Sequence, residues 1–387
     1  METNSMNVIF SLIKRFVYNQ VKKKERKLNV VFMKYFNVAM VLIIAFVGCK
    51  KTTIVPIPTA EPMYYPSNTN NNWDTKTMAS LSWNQANVQP LKDYLIQKNT
   101  KSFIILVNGK IVMEEYFNSH TATATWPWNS AGKTLLATVT GIAQQEGLIN
   151  INTKVAQYLG NGWTSAPPTK ENLITPKHLL TMTSGLSDAN DLVTTTSLTY
   201  VADAGSRWSY HNVFQKLIDV VSSGTLQTYD SYFNAKLKNK LGMDGFWNYG
   251  LIYKIYHSNT RSMARFGLMA LNKGKWNTEQ IINETFFNEC INTSQNINLS
   301  YGYLWWLNGK SSTMLPGGQA LYQGTLVPNA PADMYAAMGA NDQRIYVIPS
   351  KNMVVVRMGE ASDPANPSFA LSGFDNVLWG KINMVIN

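Results

Sequence analysis

The stretch Ser102–Phe117, "SFIILVNGKIVMEEYF", is two runs of β-type residues around Asn108-Gly109, a dipeptide suited to a tight hairpin turn. Leu135, Leu136, Val139, Ile142 and Ala143 then recur with helical spacing, and Gly147 supplies a stop, so a helix is expected over 134–146. Residues 150–250 read as helical patches broken by Gly and Pro. "MYAAMGAND" and "QRIYVIPSKNMVVVRMG" read as adjacent strands that turn at Asp342 and at Ser350-Lys351-Asn352, and Ser368–Ile386 returns to helical spacing. Strands near both ends with helices between them predict an α/β (α+β) fold. One antiparallel sheet, flanked by helices, is assembled from both ends of the chain, and an all-helical subdomain is inserted at about 126–250.

The front of the chain follows another pattern. From Met33, a lysine, an apolar run over Val38–Val47 and then Gly48-Cys49 have the order of a secretory signal. The run is short for a membrane-spanning helix. "FVGC" resembles the lipobox of bacterial lipoproteins, which implies lipidation of Cys49 and a membrane anchor in the cell envelope. Residues 50–75 are rich in Pro, Asn and Thr and lack any period. The expected organisation is a leader over 1–48, a tether over 49–77 and a folded domain over 78–387.

Charge adds little to this. The chain carries a formal +11, but residues 1–51 alone hold ten Lys/Arg against two Asp/Glu, and the remaining 24 and 21 leave only +3. A nucleic-acid partner is not expected from such a distribution. With Cys49 lipidated, Cys290 has no cysteine to pair with and reads as a small buried hydrophobe.

The candidate chemistry lies in "WPWNSAGKTLLATVTG". Ser130 and Lys133 are spaced Ser-x-x-Lys at the start of the predicted helix, on one face and within reach of each other. A serine hydroxyl needs a base, and a lysine becomes one when burial lowers its pKa. The helix start also offers free N–H groups to a developing oxyanion. Alone the spacing is weak, since it recurs at Ser11–Lys14.

The surroundings strengthen it. "WNSAGKTLLATVTGIAQQEG", "LITPKHLLTMTSGL", "GSRWSYHNVFQKLIDVV", "SYGYLWWLNG" and "AMGANDQRIYVIPSKNMVVVRMG" follow one another in order from about residue 78 to the end. Together they resemble the serine β-lactamase and penicillin-binding-protein superfamily, in its class C-like branch of esterases and 6-aminohexanoate-dimer hydrolases. The resemblance implies a β-lactamase/transpeptidase-like fold. It also implies a hydrolase that uses no cofactor or metal and cleaves a small ester or amide through an acyl-enzyme on Ser130. Tyr210-His211-Asn212 then corresponds to the Tyr-x-Asn motif. Tyr210 would face Ser130 and Lys133 and shuttle protons, its pKa drawn toward phenolate by a nearby ammonium. Asn212 would touch substrate or Lys133. Ser130 and Ala340 would supply oxyanion N–H groups. Where lactamases carry Lys-Thr-Gly, this chain has Ala337-Met338-Gly339 as its substrate-binding triplet. Without the cation and hydroxyl, a neutral substrate is expected, with Arg344 as a second source of charge. Two alternatives stay open: a catalytically silent penicillin-binding-like envelope protein, and a true β-lactamase or D-amino-acid peptidase.

Other chemistries lack their motifs. There is no Gly-x-Ser-x-Gly, no His-Glu-x-x-His and no phosphate or dinucleotide loop. Trp126, Trp128 and His211 are candidates to line the cleft, and His178 reads as structural. If Cys49 is lipidated, Cys49→Ser moves the protein out of the membrane fraction; palmitate labelling unchanged in that variant would refute the anchor.

Overall fold

The computed structural model describes residues 14, 15, 18–24, 61–365, 371 and 373–387. Cys49, the apolar run of the expected leader and the first part of the expected tether lie outside them. Among the described residues no helix is long and apolar enough to cross a membrane. Residues 1–60 and 61–387 are separate units, and the fold belongs to the second.

The hairpin expected at Asn108-Gly109 joins β1 (Thr100–Val107) to β2 (Lys110–Tyr116). Both turn residues have positive φ, 48° and 79°, the backbone that Asn-Gly tolerates best. Helix α1 (Val88–Gln97) precedes the hairpin, and α2 (Lys133–Gln145) follows it. A second, three-stranded sheet has β3 (Trp126–Pro127), β4 (Phe246–Tyr249) and β5 (Lys254–Ser258), in the order β3-β5-β4. The inserted region, expected to be all helical, therefore contributes strands as well. Alternation over so few residues leaves no visible period.

Helix α3 (Thr260–Leu271) leads to the C-terminal half: β6 (Trp306–Leu307), β7 (Tyr335–Gly339), β8 (Gln343–Ile348), β9 (Met353–Gly359) and α4 (Gly373–Ile386). The main sheet has the order β2-β1-β9-β8-β7-β6, with its neighbouring strands antiparallel. Strands from both ends of the chain thus meet at β1 and β9, as the pattern predicts. Helix α3 packs on β1, β8 and β9, while α1 packs on β1 and on α4. The central strands are buried along nearly their whole length, which is why "FIILV" and "MVVV" read as continuous apolar runs.

Residues 61–77 are not a tether. Trp73 is buried and its indole N–H donates to the Gly109 carbonyl at 2.7 Å. Tyr64 N–H donates to the Asn108 carbonyl at 2.9 Å, and Thr75 bridges to Ile111. The polar composition hid these few anchoring aromatics.

The end of β7 lies directly on the turn that carries Ser130. A Cβ at Gly339 would stand 2.5 Å from the Trp128 carbonyl oxygen, 2.8 Å from Ala131 N and 3.0 Å from Ser130 N. These are backbone atoms, so the strain has no flexible side chain to absorb it. Gly339→Ala is expected to destabilise the protein by about 1–3 kcal/mol, measured as a shift in the urea midpoint. A midpoint equal to the parent's would show that the strand and turn part without strain.

Candidate active site

Ser130 occupies a 3₁₀ turn, Asn129–Gly132, that runs straight into α2. Asn129 enters the turn with φ 49°, and its Nδ2 donates to the Ala340 carbonyl at 2.8 Å. Lys133 Nζ lies 2.6 Å from Ser130 Oγ, so the two expected partners meet. Lys133 is 5% exposed, and its ammonium faces the rings of Tyr210 and Phe214, with centroids at 4.5 and 4.4 Å. Burial lowers its pKa from 10.5 to about 7, against the opposing pull of the Asp191 carboxylate. Near neutral pH the neutral amine, free to accept a proton, is therefore accessible.

Tyr210 is held by its neighbours. Ser209 donates to Asp188, the His211 ring pairs with the Asn190 carbonyl at 2.9 Å, and Asn212 Nδ2 donates to the Asp191 carbonyl at 3.0 Å. The loop carrying Asp188, Asn190 and Asp191 thus grips residues on both sides of the tyrosine. Its ring packs against Trp306 and Tyr301, at 5.6 and 6.2 Å between centroids. The phenolate expectation is reversed. Burial pushes the Tyr210 pKa up to about 12, and Ser130 offsets only part of this. Lys133 meets the face of the ring, and the hydroxyl has no hydrogen bond of normal geometry among the described residues.

Asn212 lines the cavity but turns its amide to Asp191, whose carboxylate also accepts from the Tyr253 hydroxyl at 2.6 Å. Ala337 and Met338 are 0% and 1% exposed inside β7 and do not line the cavity. The triplet therefore reaches the site only through Gly339 and the following Ala340. Arg344 is buried too. Its guanidinium pairs with Asp375, at 2.6 and 2.9 Å, and with Asp342 at 2.8 Å, and it is not presented to the cavity.

Arg344 Nη1 also donates to the Gly339 carbonyl at 2.8 Å. The Gly339–Ala340 peptide is planar and trans, so its N–H, on Ala340, points the opposite way. Ser130 is the second residue of its 3₁₀ turn and Ala340 the first of the turn Ala340–Asp342, so helical pairing leaves both N–H groups without an internal acceptor.

The cavity over Ser130 and Lys133 measures about 190 Å³. Leu136, Phe214, Trp247 and Ile255 give it apolar walls, with Tyr253 and Lys254 on the β4–β5 hairpin. The sequence patterns did not single out any of these wall residues beyond Leu136. Trp126 and Trp128 do not line it: the Trp128 indole is buried and donates to Ser258 Oγ at 2.7 Å, and the Trp126 indole donates to the Gly359 carbonyl at 3.1 Å. His211 stays outside the lining, and His178 closes a capping box with Thr175. Among the described residues no group of His, Cys, Asp and Glu is arranged to hold a metal ion.

Solved structures share this fold. A protein assigned as a 6-aminohexanoate-dimer hydrolase, from Bacillus anthracis, superposes with a TM-score of 0.61 at 15% identity, covering 84% of this chain and 89% of that one. A protein assigned as a β-lactamase, from Bacteroides dorei, gives 0.61 at 14%, with 78% and 98% covered. A family VIII carboxylesterase gives 0.57 at 14%, with 76% and 95% covered. A search of curated protein sequences finds no match. The model of the Beta-lactamase family matches residues 95–370, which take in the sheet, the Ser130 turn and Tyr210 alike. The chain belongs to the Beta-lactamase family.

Proposed function

We propose that the protein is a serine hydrolase of the cell envelope that cleaves an ester or amide bond through an acyl-enzyme on Ser130. The observation that supports it best is the 2.6 Å contact between Ser130 Oγ and a lysine whose pKa burial has brought to about 7. Lys133, as the neutral amine, takes the hydroxyl proton while Oγ attacks the substrate carbonyl. The oxyanion is received by the N–H groups of Ser130 and Ala340. The Lys133 ammonium then returns the proton to the leaving alcohol or amine, and water releases the acyl group by the reverse sequence. Tyr210 stays a neutral phenol near pH 7 and serves as a donor in this relay, not as the resting base. The esterase and amide-hydrolase names among the structural neighbours fit this reaction class. Ala337 and Met338, buried in their strand, and Arg344, held by two carboxylates, give β7 no cation for the carboxylate of a β-lactam.

Ser130→Ala is expected to lower nitrophenyl-ester hydrolysis by about ten-thousandfold or more while the protein stays folded, and Ser11→Ala to leave it unchanged. A fluorophosphonate probe, read by intact mass, should label the parent and not Ser130→Ala. Parent protein that neither labels nor turns over an ester would support the catalytically silent alternative.

The same assignment sets a pH dependence. Lys133 works as the neutral amine, so kcat/KM should fall as pH drops through about 7 and level off above it. A profile flat from pH 5 to 9, about two units on either side of that value, would remove Lys133 as the base.

A further inference from the structure

Lys254 lines the same cavity as Ser130 and Lys133. It opens β5, where Lys254, Tyr256 and Ser258 share one face, and Tyr256 and Ser258 are fully buried. Its backbone is fixed. The buried Gln215 side chain donates to the Ile252 carbonyl at 3.0 Å and accepts from Lys254 N–H at 2.9 Å, clamping both sides of the hairpin end. The ammonium itself has no hydrogen bond, ion pair or aromatic partner among the described residues. The nearby Asp219 is engaged by Lys216 at 3.0 Å; burial pulls the Lys254 pKa down, Asp219 pulls it partly back up, and Lys216 adds to the lowering.

A partly desolvated ammonium whose neighbouring carboxylate, Asp219, is already paired with Lys216 is under-compensated, and a ligand anion would relieve it. The cavity that Lys254 and Ser130 both line has apolar walls at Leu136, Phe214, Trp247 and Ile255, beside the polar Asn129, Asn212, Gln215 and Tyr253. Such a lining suits a molecule that combines a carbonyl for Ser130, an apolar segment and a negative charge for Lys254. We propose that Lys254 is the anion-binding residue of this cavity and that the substrate is an ester or amide bearing a carboxylate remote from the scissile carbonyl. This rests on the acyl-enzyme reading and replaces the expectation of a neutral substrate, which considered only the β7 strand.

The test compares matched substrates: mono-4-nitrophenyl glutarate (acid on the acyl side), N-butyryl-6-aminohexanoate (acid on the leaving side), and the neutral 4-nitrophenyl butyrate and N-butyryl-hexylamine. In the parent, at least one acid is expected to exceed its neutral counterpart in kcat/KM. Lys254→Met should lower that acid-to-neutral ratio by about ten- to a hundredfold, and Lys254→Arg should retain it. An unchanged ratio for both pairs in Lys254→Met overturns the proposal. A binding arm is independent of turnover. Hexanoate, but not hexanamide, should raise the melting temperature of both the parent and Ser130→Ala, and should fail to do so in Lys254→Met. Equal shifts in all three proteins, or no shift in the parent, overturn the anion site. An intact hexanoate effect without any hydrolysis upholds the anion site and refutes the acyl-enzyme instead.

Discussion

The site depends on how closely the end of β7 lies on the turn that carries Ser130. That approach requires Gly339, where even a methyl group would enter the backbone of the turn. Two hydrogen bonds fix the peptides beyond it, from Arg344 to the Gly339 carbonyl and from Asn129 to the Ala340 carbonyl. Arg344 is in turn held by Asp342 and by Asp375 of the C-terminal helix. A buried ion cluster thus connects the last helix of the chain to the direction of one N–H group. Removing either partner from such a cluster leaves an unpaired buried charge, so the peptide's orientation is strongly determined.

Burial acts on the two ionisable groups beside Ser130 in opposite chemical senses. It favours the neutral form of each, so the lysine gives up its proton readily and the tyrosine keeps its own. One physical cause moves the two pKa values apart within a few ångströms. Asp191 moderates the first effect from across the Asn212 contact, and it is itself tied to Tyr253 on the hairpin. The electrostatics of the base and the position of the cavity rim therefore meet at one loop carboxylate.

Much of the fold was legible because its elements are long and strongly patterned. The 100–116 hairpin, α2 and the β7–β8–β9 meander all announce themselves by periodicity and turn residues. The Ser130–Lys133 pair was legible because three residues of spacing almost suffice to define it. Tyr210 could be placed only by its likeness to known sequences, since its proximity to Lys133 is a tertiary fact. The misses are also physical. The β4–β5 hairpin is short and its strand residues mix exposures, so no period marks it. Ala337 and Met338 were assigned by position in a motif, whereas their side chains are spent on packing inside the sheet. The packing of residues 61–77 rests on tertiary partners, among them those of Trp73, Tyr64 and the Thr75 bridge, which a polar segment does not display. Lys254 was invisible because an unpaired lysine differs from a solvated one only in what surrounds it.

The buried amine also has a thermodynamic side. In the unfolded chain Lys133 would hold its proton up to about 10.5, whereas in the folded protein it releases it at about 7. Between those values the unfolded state binds more protons, so stability rises with pH across that window. Below about 7 both states are protonated and the penalty is constant at its largest, on the order of a few kcal/mol. The burial that fits Lys133 for the proposed role of base is thus a standing load on the fold, heaviest in neutral and acidic surroundings. The tightly packed sheet and the Arg344 cluster are the parts of the molecule that bear it.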